Sequence, residues 1–257
     1  MCELFGVCAK EKFRVNELLS AFYQHSKYHR DGWGLAVFRG QGAFVEKEPI
    51  KATDSAYLKR RMSHPIEESN LFAHIRFATI GRMDYCNCHP FMLEDQSGRN
   101  WTMIHNGTFF NGARLARFLD VQEGTTDSER LIMYIVESMN DAITEKGRPL
   151  DFGERFRILD EIICELAEGN KINMLLHDGE YMYVHTNCRK SLHRWTGEKR
   201  VIFATRPVTL EGWEQLPINQ LLAYREGELT AEGTVHDGEF QDADHDYLAL
   251  MSAYSEL

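Results

Sequence analysis

Apolar side chains along the chain fall into two periods, one close to 3.6 residues and one of short near-continuous runs. Glu3 to Ala9 (ELFGVCA) is such a run and predicts a buried strand that starts right behind the second residue. Val15, Leu18, Leu19, Phe22 and Tyr23 then fall at helical spacing. Gly34 to Phe38 and Ala43 to Lys47 read as two strands joined through Gly40 and Gly42. Thr53 or Asp54 is placed to cap a helix running to about Met62, and Leu71 to Thr79 is strand-like, with an irregular polar stretch behind it. Trp101 to Phe110 predicts a further strand, interrupted at His105-Asn106-Gly107.

Two helices come next. Thr126 is placed to cap one from Asp127 to about Glu145, with Glu129 three residues on as in a capping box. Phe156, Leu159, Ile162, Ile163 and Leu166 form the stripe of a second helix, ended near Gly169. Ile172 to His177, the Asp178-Gly179 turn and Tyr181 to His185 predict a hairpin. Val201 to Thr205 and Leu221 to Arg225 add strands. This order predicts an α+β fold of antiparallel sheets covered by helices. No Pro/Ser-rich linker divides the chain, so residues 1–257 read as a single domain with an acidic segment at 226–257.

Charge sharpens that division. The net charge is −10, and residues 226–257 hold nine acids and no Lys or Arg, leaving 29 basic and 30 acidic residues before them. A near-neutral body lacks the gathered Lys and Arg that a phosphate backbone requires, so nucleic acid is not an expected partner. The longest apolar runs, such as Leu131 to Val136, fall far short of the ~20 residues that cross a bilayer, so no membrane is expected either. Glu3, Lys10 and Lys12 flank no apolar core of a signal peptide. The six cysteines are therefore read as reduced thiols and the chain as cytoplasmic.

The chemistry centres on Cys2. It follows the initiator methionine, and cysteine is small enough for that methionine to be removed, which would leave Cys2 with a free α-amine. An α-amine titrates at about 7.7–8, where a general base works well. A thiol beside its own amine is a nucleophile and base in one residue.

Cys2-Glu3-Leu4-Phe5-Gly6-Val7 resembles the opening of the class II, N-terminal nucleophile glutamine amidotransferases. Ala73-His74-Ile75-Arg76-Phe77-Ala78-Thr79-Ile80-Gly81 resembles their arginine motif, His105-Asn106-Gly107 their oxyanion motif and Thr126-Asp127-Ser128-Glu129 their aspartate motif. All stand in the family's order across residues 2 to about 130. Tyr28-His29-Arg30-Asp31-Gly32-Trp33-Gly34 is similar to the stand-alone branch, which includes γ-glutamyl hydrolases of thiol metabolism. The resemblance implies a four-layer αββα sandwich of two antiparallel sheets.

It also implies roles. Cys2 is the expected nucleophile, and Asn106 and Gly107 the donors to the tetrahedral oxyanion, each such donor being worth ~3 kcal/mol. Glutamine's head is a zwitterion whose burial needs a matched cation and anion. Arg76 is expected to grip the carboxylate with a bidentate fork, and Asp127, at a helix start, to accept the ammonium. Thr79 and His89 are expected to line the pocket. A salt bridge for Arg76, an N-cap for Asp127 and an ordinary turn at Asn106-Gly107 are the plainer roles of these residue types. Two departures bear on the leaving group: Ile80 stands where many members have His, and His29 to Gly34 replaces Arg-Gly-Tyr-Asp-Ser-Ala-Gly, with Asp31 aligned.

No cofactor and no metal are expected. Cys86, Cys88 and His89 lack a matching second pair, and His25 and His29 at i, i+4 are two ligands only. The expected reaction is hydrolysis of the γ-amide of glutamine, or of a γ-glutamyl compound, through a Cys2 thioester. A glutamine-binding regulator without turnover and an ammonia-donating subunit are the alternatives. The expected partner is the small-molecule substrate, with a homo-oligomer or a separate ammonia-accepting chain left open. At 257 residues, no room is expected for a synthetase domain beside the sandwich.

Overall fold

The computed structural model describes residues 2–40, 42–77 and 83–241. The chain forms β1 (Glu3–Arg14), α1 (Asn16–Gln24), β2 (Trp33–Arg39), β3 (Gly42–Glu48), α2 (Ala56–Met62), β4 (Glu67–Ile75), β5 (Phe91–Glu94) and β6 (Asn100–His105). These are followed by α3 (Asp127–Lys146), α4 (Phe152–Leu166), β7 (Met174–His177), β8 (Met182–His185), β9 (His193–Gly197), β10 (Arg200–Ala204), β11 (Glu214–Gln215), β12 (Leu222–Arg225) and β13 (Glu228–Glu232). One sheet has the order β11-β9-β10-β1-β4-β2-β3 and the other β13-β12-β8-β7-β6-β5. Every strand pairing within them is antiparallel.

Three apolar layers make this a four-layer αββα sandwich. Phe5, Val7 and Leu71 pack with Leu19 and Phe22 of α1 and Leu58 of α2. Leu4, Phe72, Ile104, Leu175 and Phe203 meet between the sheets. Trp101, Met103 and Leu176 pack under Leu131, Ile135 and Met139 of α3 and Leu159 and Ile163 of α4. Successive β1 residues thus enter different layers, so the strand needs apolar side chains on both faces, which accounts for its unbroken run. Each such side chain contributes roughly 1.5–3 kcal/mol by leaving water. Met139 belongs to this packing rather than to a surface groove, whereas Met133 packs at its margin.

The differences from the sequence reading have local causes. Ser55, not Thr53 or Asp54, caps α2, its Oγ accepting from the Leu58 N–H at 2.9 Å. Thr126 caps α3 through the Glu129 N–H, but Glu129 does not close a capping box, because its carboxylate accepts from the N–H groups of Glu123 and Gly124. The reciprocal box occurs instead at α4, between Asp151 and Glu154. β4 starts at Glu67 and ends at Ile75, short of Thr79. β5, β9, β11 and β13, which the apolar pattern does not announce, are edge or outer strands with much of their surface in water.

Several histidines are buried in strands. Burial holds the His74 ring at a pKa of about 3, His177 at about 4 and His185 at about 3. In the unfolded chain these rings titrate near 6.5. Between those values the unfolded chain binds protons that the folded chain does not, so folded-state stability is complete above pH 6.5 and is lost as pH falls. These three rings alone give a slope approaching about 4 kcal/mol per pH unit between pH 5.5 and 4. Urea unfolding midpoints measured from pH 7 to pH 4.5 are expected to fall steeply; a flat profile would exclude neutral buried rings.

Candidate active site

Cys2 immediately precedes β1, and Arg76 and Phe77 immediately follow β4. The pairing of Glu3 with Ile75 brings them together. The Phe77 N–H donates to Cys2 Sγ at 3.4 Å, and the Phe77 carbonyl lies 3.5 Å from the same sulfur. Burial pushes the thiol pKa above its ordinary value. The Phe77 N–H and the Arg76 guanidinium draw it down, and the Asp127 carboxylate pushes it up. Both charges therefore act on the sulfur, although Arg76 and Asp127 lie more than fifty residues apart in the chain.

Arg76 is buried, and its backbone is held by the segment before β2: its N–H donates to the Gly32 carbonyl at 2.8 Å and its carbonyl accepts from Asp31 at 3.1 Å. The His29-to-Gly34 segment thus braces the arginine. Behind Cys2, on the helix side of β1, the buried Glu3 carboxylate gathers three cations or potential cations. His25 Nδ1 lies at 2.8 Å, Arg206 Nε at 3.2 Å and His29 Nε2 at 3.6 Å. The i, i+4 histidines therefore converge on a carboxylate. Nothing in the apolar pattern singles out Glu3, although a carboxylate inside a buried strand is itself a signal.

Asn106 and Gly107 follow β6 on the facing sheet. The Asn106 N–H donates to the Asn173 carbonyl at 2.8 Å, and Thr108 and Lys171 exchange two backbone hydrogen bonds at 3.1 Å. A Cβ on Gly107 would lie 1.9 Å from the Lys171 carbonyl oxygen, so glycine is required by close approach, while its φ lies outside the left-handed region. The same loop is tied to the start of α3. The Phe109 N–H donates to Asp127 Oδ2 at 2.9 Å, and His105 Nδ1 lies 2.9 Å from Ser128 Oγ. Asp127 is thus the first residue inside the helix, with Thr126 as the cap.

His89 is buried between the sheets, its ring 4.2 Å from that of His74 and 4.6 Å from Phe91. Burial, reinforced by the charges of neighbouring rings and of Arg76, pushes its pKa well below the usual histidine value. The His89-Pro90 peptide is cis, and Gly34 admits its approach, since a Cβ there would lie 1.9 Å from the His89 carbonyl. Of the two loop thiols, Cys86 donates to Asp84 Oδ1 and Cys88 to the Asp84 carbonyl, both at 3.4 Å. Thr79 lies outside the described residues. Asn173, absent from the sequence reading, is polar within an apolar strand run and fully buried.

Comparison with known proteins places the chain in a family. The family model described as class II glutamine amidotransferases matches residues 1–196. YafJ of Escherichia coli K12, provisionally assigned as a glutamine amidotransferase, is 31% identical over 198 residues, which cover 75% of each chain. A predicted glutamine amidotransferase of Pseudomonas aeruginosa has a similar fold, with a TM-score of 0.62 and 21% identity, over 90% of this chain and 100% of its own. The glutamine phosphoribosylpyrophosphate amidotransferase of Bacillus subtilis gives 0.66 at 16% identity, over 92% of this chain and 50% of its own. Among the described residues, no helix is long and apolar enough to cross a membrane. A family model that matches three quarters of the sequence, and a relative 31% identical over three quarters of each chain, show that the chain belongs to the class II glutamine amidotransferases.

Proposed function

We propose that this protein hydrolyses the γ-amide of glutamine, or of a γ-glutamyl compound, through a thioester on Cys2. The observation that carries this reading is the electrostatic setting of the sulfur: a thiol held by a backbone N–H, under the opposed charges of Arg76 and Asp127. A zwitterionic head is the ligand that such a pair neutralises. In this reading Arg76 takes the α-carboxylate and Asp127 the α-ammonium, with His89 and Thr79 lining the pocket.

The raised thiol pKa has a mechanistic consequence. An ordinary cysteine is only about 3% thiolate at pH 7, and burial lowers that fraction further, so the attack needs a base. Once Met1 is removed, the Cys2 α-amine serves. It takes the thiol proton as sulfur bonds to the amide carbon. The oxyanion forms at the amide oxygen, facing the Asn106 side-chain amide and the Gly107 N–H. The carbon–nitrogen bond then breaks, and ammonia leaves with the proton from the amine. Water, deprotonated by the same amine, attacks the thioester carbonyl; glutamate departs and the thiol is restored. Where an acceptor chain is present, the released ammonia is the product handed on.

Three outcomes are expected. Met-processed protein should release glutamate from glutamine or from a member of a γ-glutamyl panel, and Cys2→Ala should lower turnover at least about a thousandfold. Equal rates would remove Cys2 from the reaction. With chemistry rate-limiting, kcat/KM should rise with pH through the titration of the amine, near 7.7–8 if unperturbed; a profile flat from pH 6 to 9 would exclude the amine as base. Asp127→Asn keeps an acceptor for the Phe109 N–H but removes the charge. It should fold within about 1 kcal/mol of wild type while losing roughly 10- to 100-fold in kcat/KM. Wild-type kinetics in this variant would rule out the ammonium contact.

A further inference from the structure

Asn106 is held by one residue on both of its backbone groups. In the β6–β7 register His105 faces Met174, which sets Asn106 opposite Asn173. The Asn106 N–H donates to the Asn173 carbonyl at 2.8 Å in the usual ladder manner. The return bond differs: the Asn106 carbonyl accepts from the Asn173 side chain, through Nδ2 at 2.9 Å, where a regular ladder would use a backbone N–H. Strand geometry stops at this point on both strands, since β6 ends at His105 and β7 begins at Met174. A side-chain amide therefore completes the hydrogen bonding of a residue that has left the pleat.

The amide of Asn173 is itself oriented. Thr186 Oγ1 donates to Asn173 Oδ1 at 2.6 Å, and Ser191 Oγ lies 3.0 Å from the same oxygen. The Thr186 hydroxyl proton on the oxygen side fixes which end of the amide faces Asn106, since the single Ser191 proton lies nearer the Cys188 carbonyl, at 2.6 Å, and the donor end is then Nδ2. Asn173 and Thr186 are almost completely buried, so water does not compete for these bonds. Neither residue is assigned a role by the motifs around Cys2, Arg76, Asn106 and Asp127.

We propose that Asn173, oriented by Thr186, is the positioning residue of the oxyanion site: by replacing one ladder bond with a side-chain bond it sets the Asn106-Gly107 backbone in the conformation that aims its donors at the developing charge. This rests on the amidase reading above. Oxyanion donors act in the transition state and not on the bound ground state, so loss of their alignment lowers kcat and leaves KM nearly unchanged.

The test compares Asn173→Ala, Thr186→Val and Thr186→Ser in Met-processed protein. Wild-type turnover is measured first, and its absence would overturn the amidase reading and this assignment with it. Given wild-type turnover, Asn173→Ala should lower kcat by roughly 10- to 100-fold, as a fraction of the loss seen on removing an oxyanion donor outright. Thr186→Val, which keeps the volume and removes the orienting proton, should show a smaller fall in the same direction, and Thr186→Ser should restore the rate. Glutamate affinity should stay within about twofold throughout. Binding of the γ-aldehyde analogue of glutamine, which forms a tetrahedral adduct on Cys2, should weaken in parallel with kcat. A kcat within twofold of wild type in Thr186→Val and in folded Asn173→Ala would overturn the assignment. So would loss of glutamate affinity as large as the loss of kcat, which marks a merely structural role. If Asn173→Ala fails to fold, the Thr186 pair decides by the same criteria.

Discussion

The antiparallel pairing of β1 with β4 is the constraint from which the rest of the site follows. Glu3 opposite Ile75 and Leu4 opposite His74 set the register, and both faces of β1 are buried from Glu3 to Ala9. A slip of one residue would exchange the side chains entering the helix layer with those entering the inter-sheet layer, a reversal this core does not tolerate. With the register fixed, the residue before β1 meets the residues after β4. That is why Cys2 Sγ receives the Phe77 N–H and lies under the influence of Arg76.

The facing sheet supplies the other half of the candidate site by the same means. Asn106-Gly107 leaves β6 where the ladder with β7 is interrupted, and the loop behind it is tied to α3 through Phe109 and Asp127. The close approach at Gly107 and the bracing of Arg76 by Gly32 both come from backbone contacts, which resist displacement better than long side chains do. Burial that holds His74 and His89 neutral goes with an inter-sheet space of low dielectric, while His105 is buried on the other face of its strand, against α3. Charges entering it interact strongly, so a neutral or paired ligand is favoured over a single ion.

Much of this was legible in the sequence, and the reasons are specific. The β1 run, the α3 and α4 stripes and the Asp178-Gly179 hairpin are strong signals because their apolar positions are buried almost without exception. The same rule hides β9 and β13, whose side chains are half-buried or exposed and carry no period. The candidates Cys2, Arg76, Asn106 and Asp127 could be named one by one from short motifs. Their supports could not, because Glu3 with His25 and Arg206, and Asn173 with Thr186, are joined by folding rather than by spacing. Buried polar residues inside apolar runs were the signal available. The capping box assigned to Glu129 shows the opposite failure, a local pattern overridden when two loop N–H groups offered that carboxylate better partners.

The central claim is a covalent one, that glutamine or its γ-glutamyl relative is bonded to Cys2 during turnover. Intact-protein mass spectrometry of Met-processed protein, quenched in acid within the first turnovers, addresses it directly. The account predicts a transient species heavier than the free protein by one γ-glutamyl group, with peptide mapping locating the addition at Cys2. Steady glutamate release with no such species, under conditions where acylation outpaces hydrolysis, or with the added mass on another residue, would contradict it.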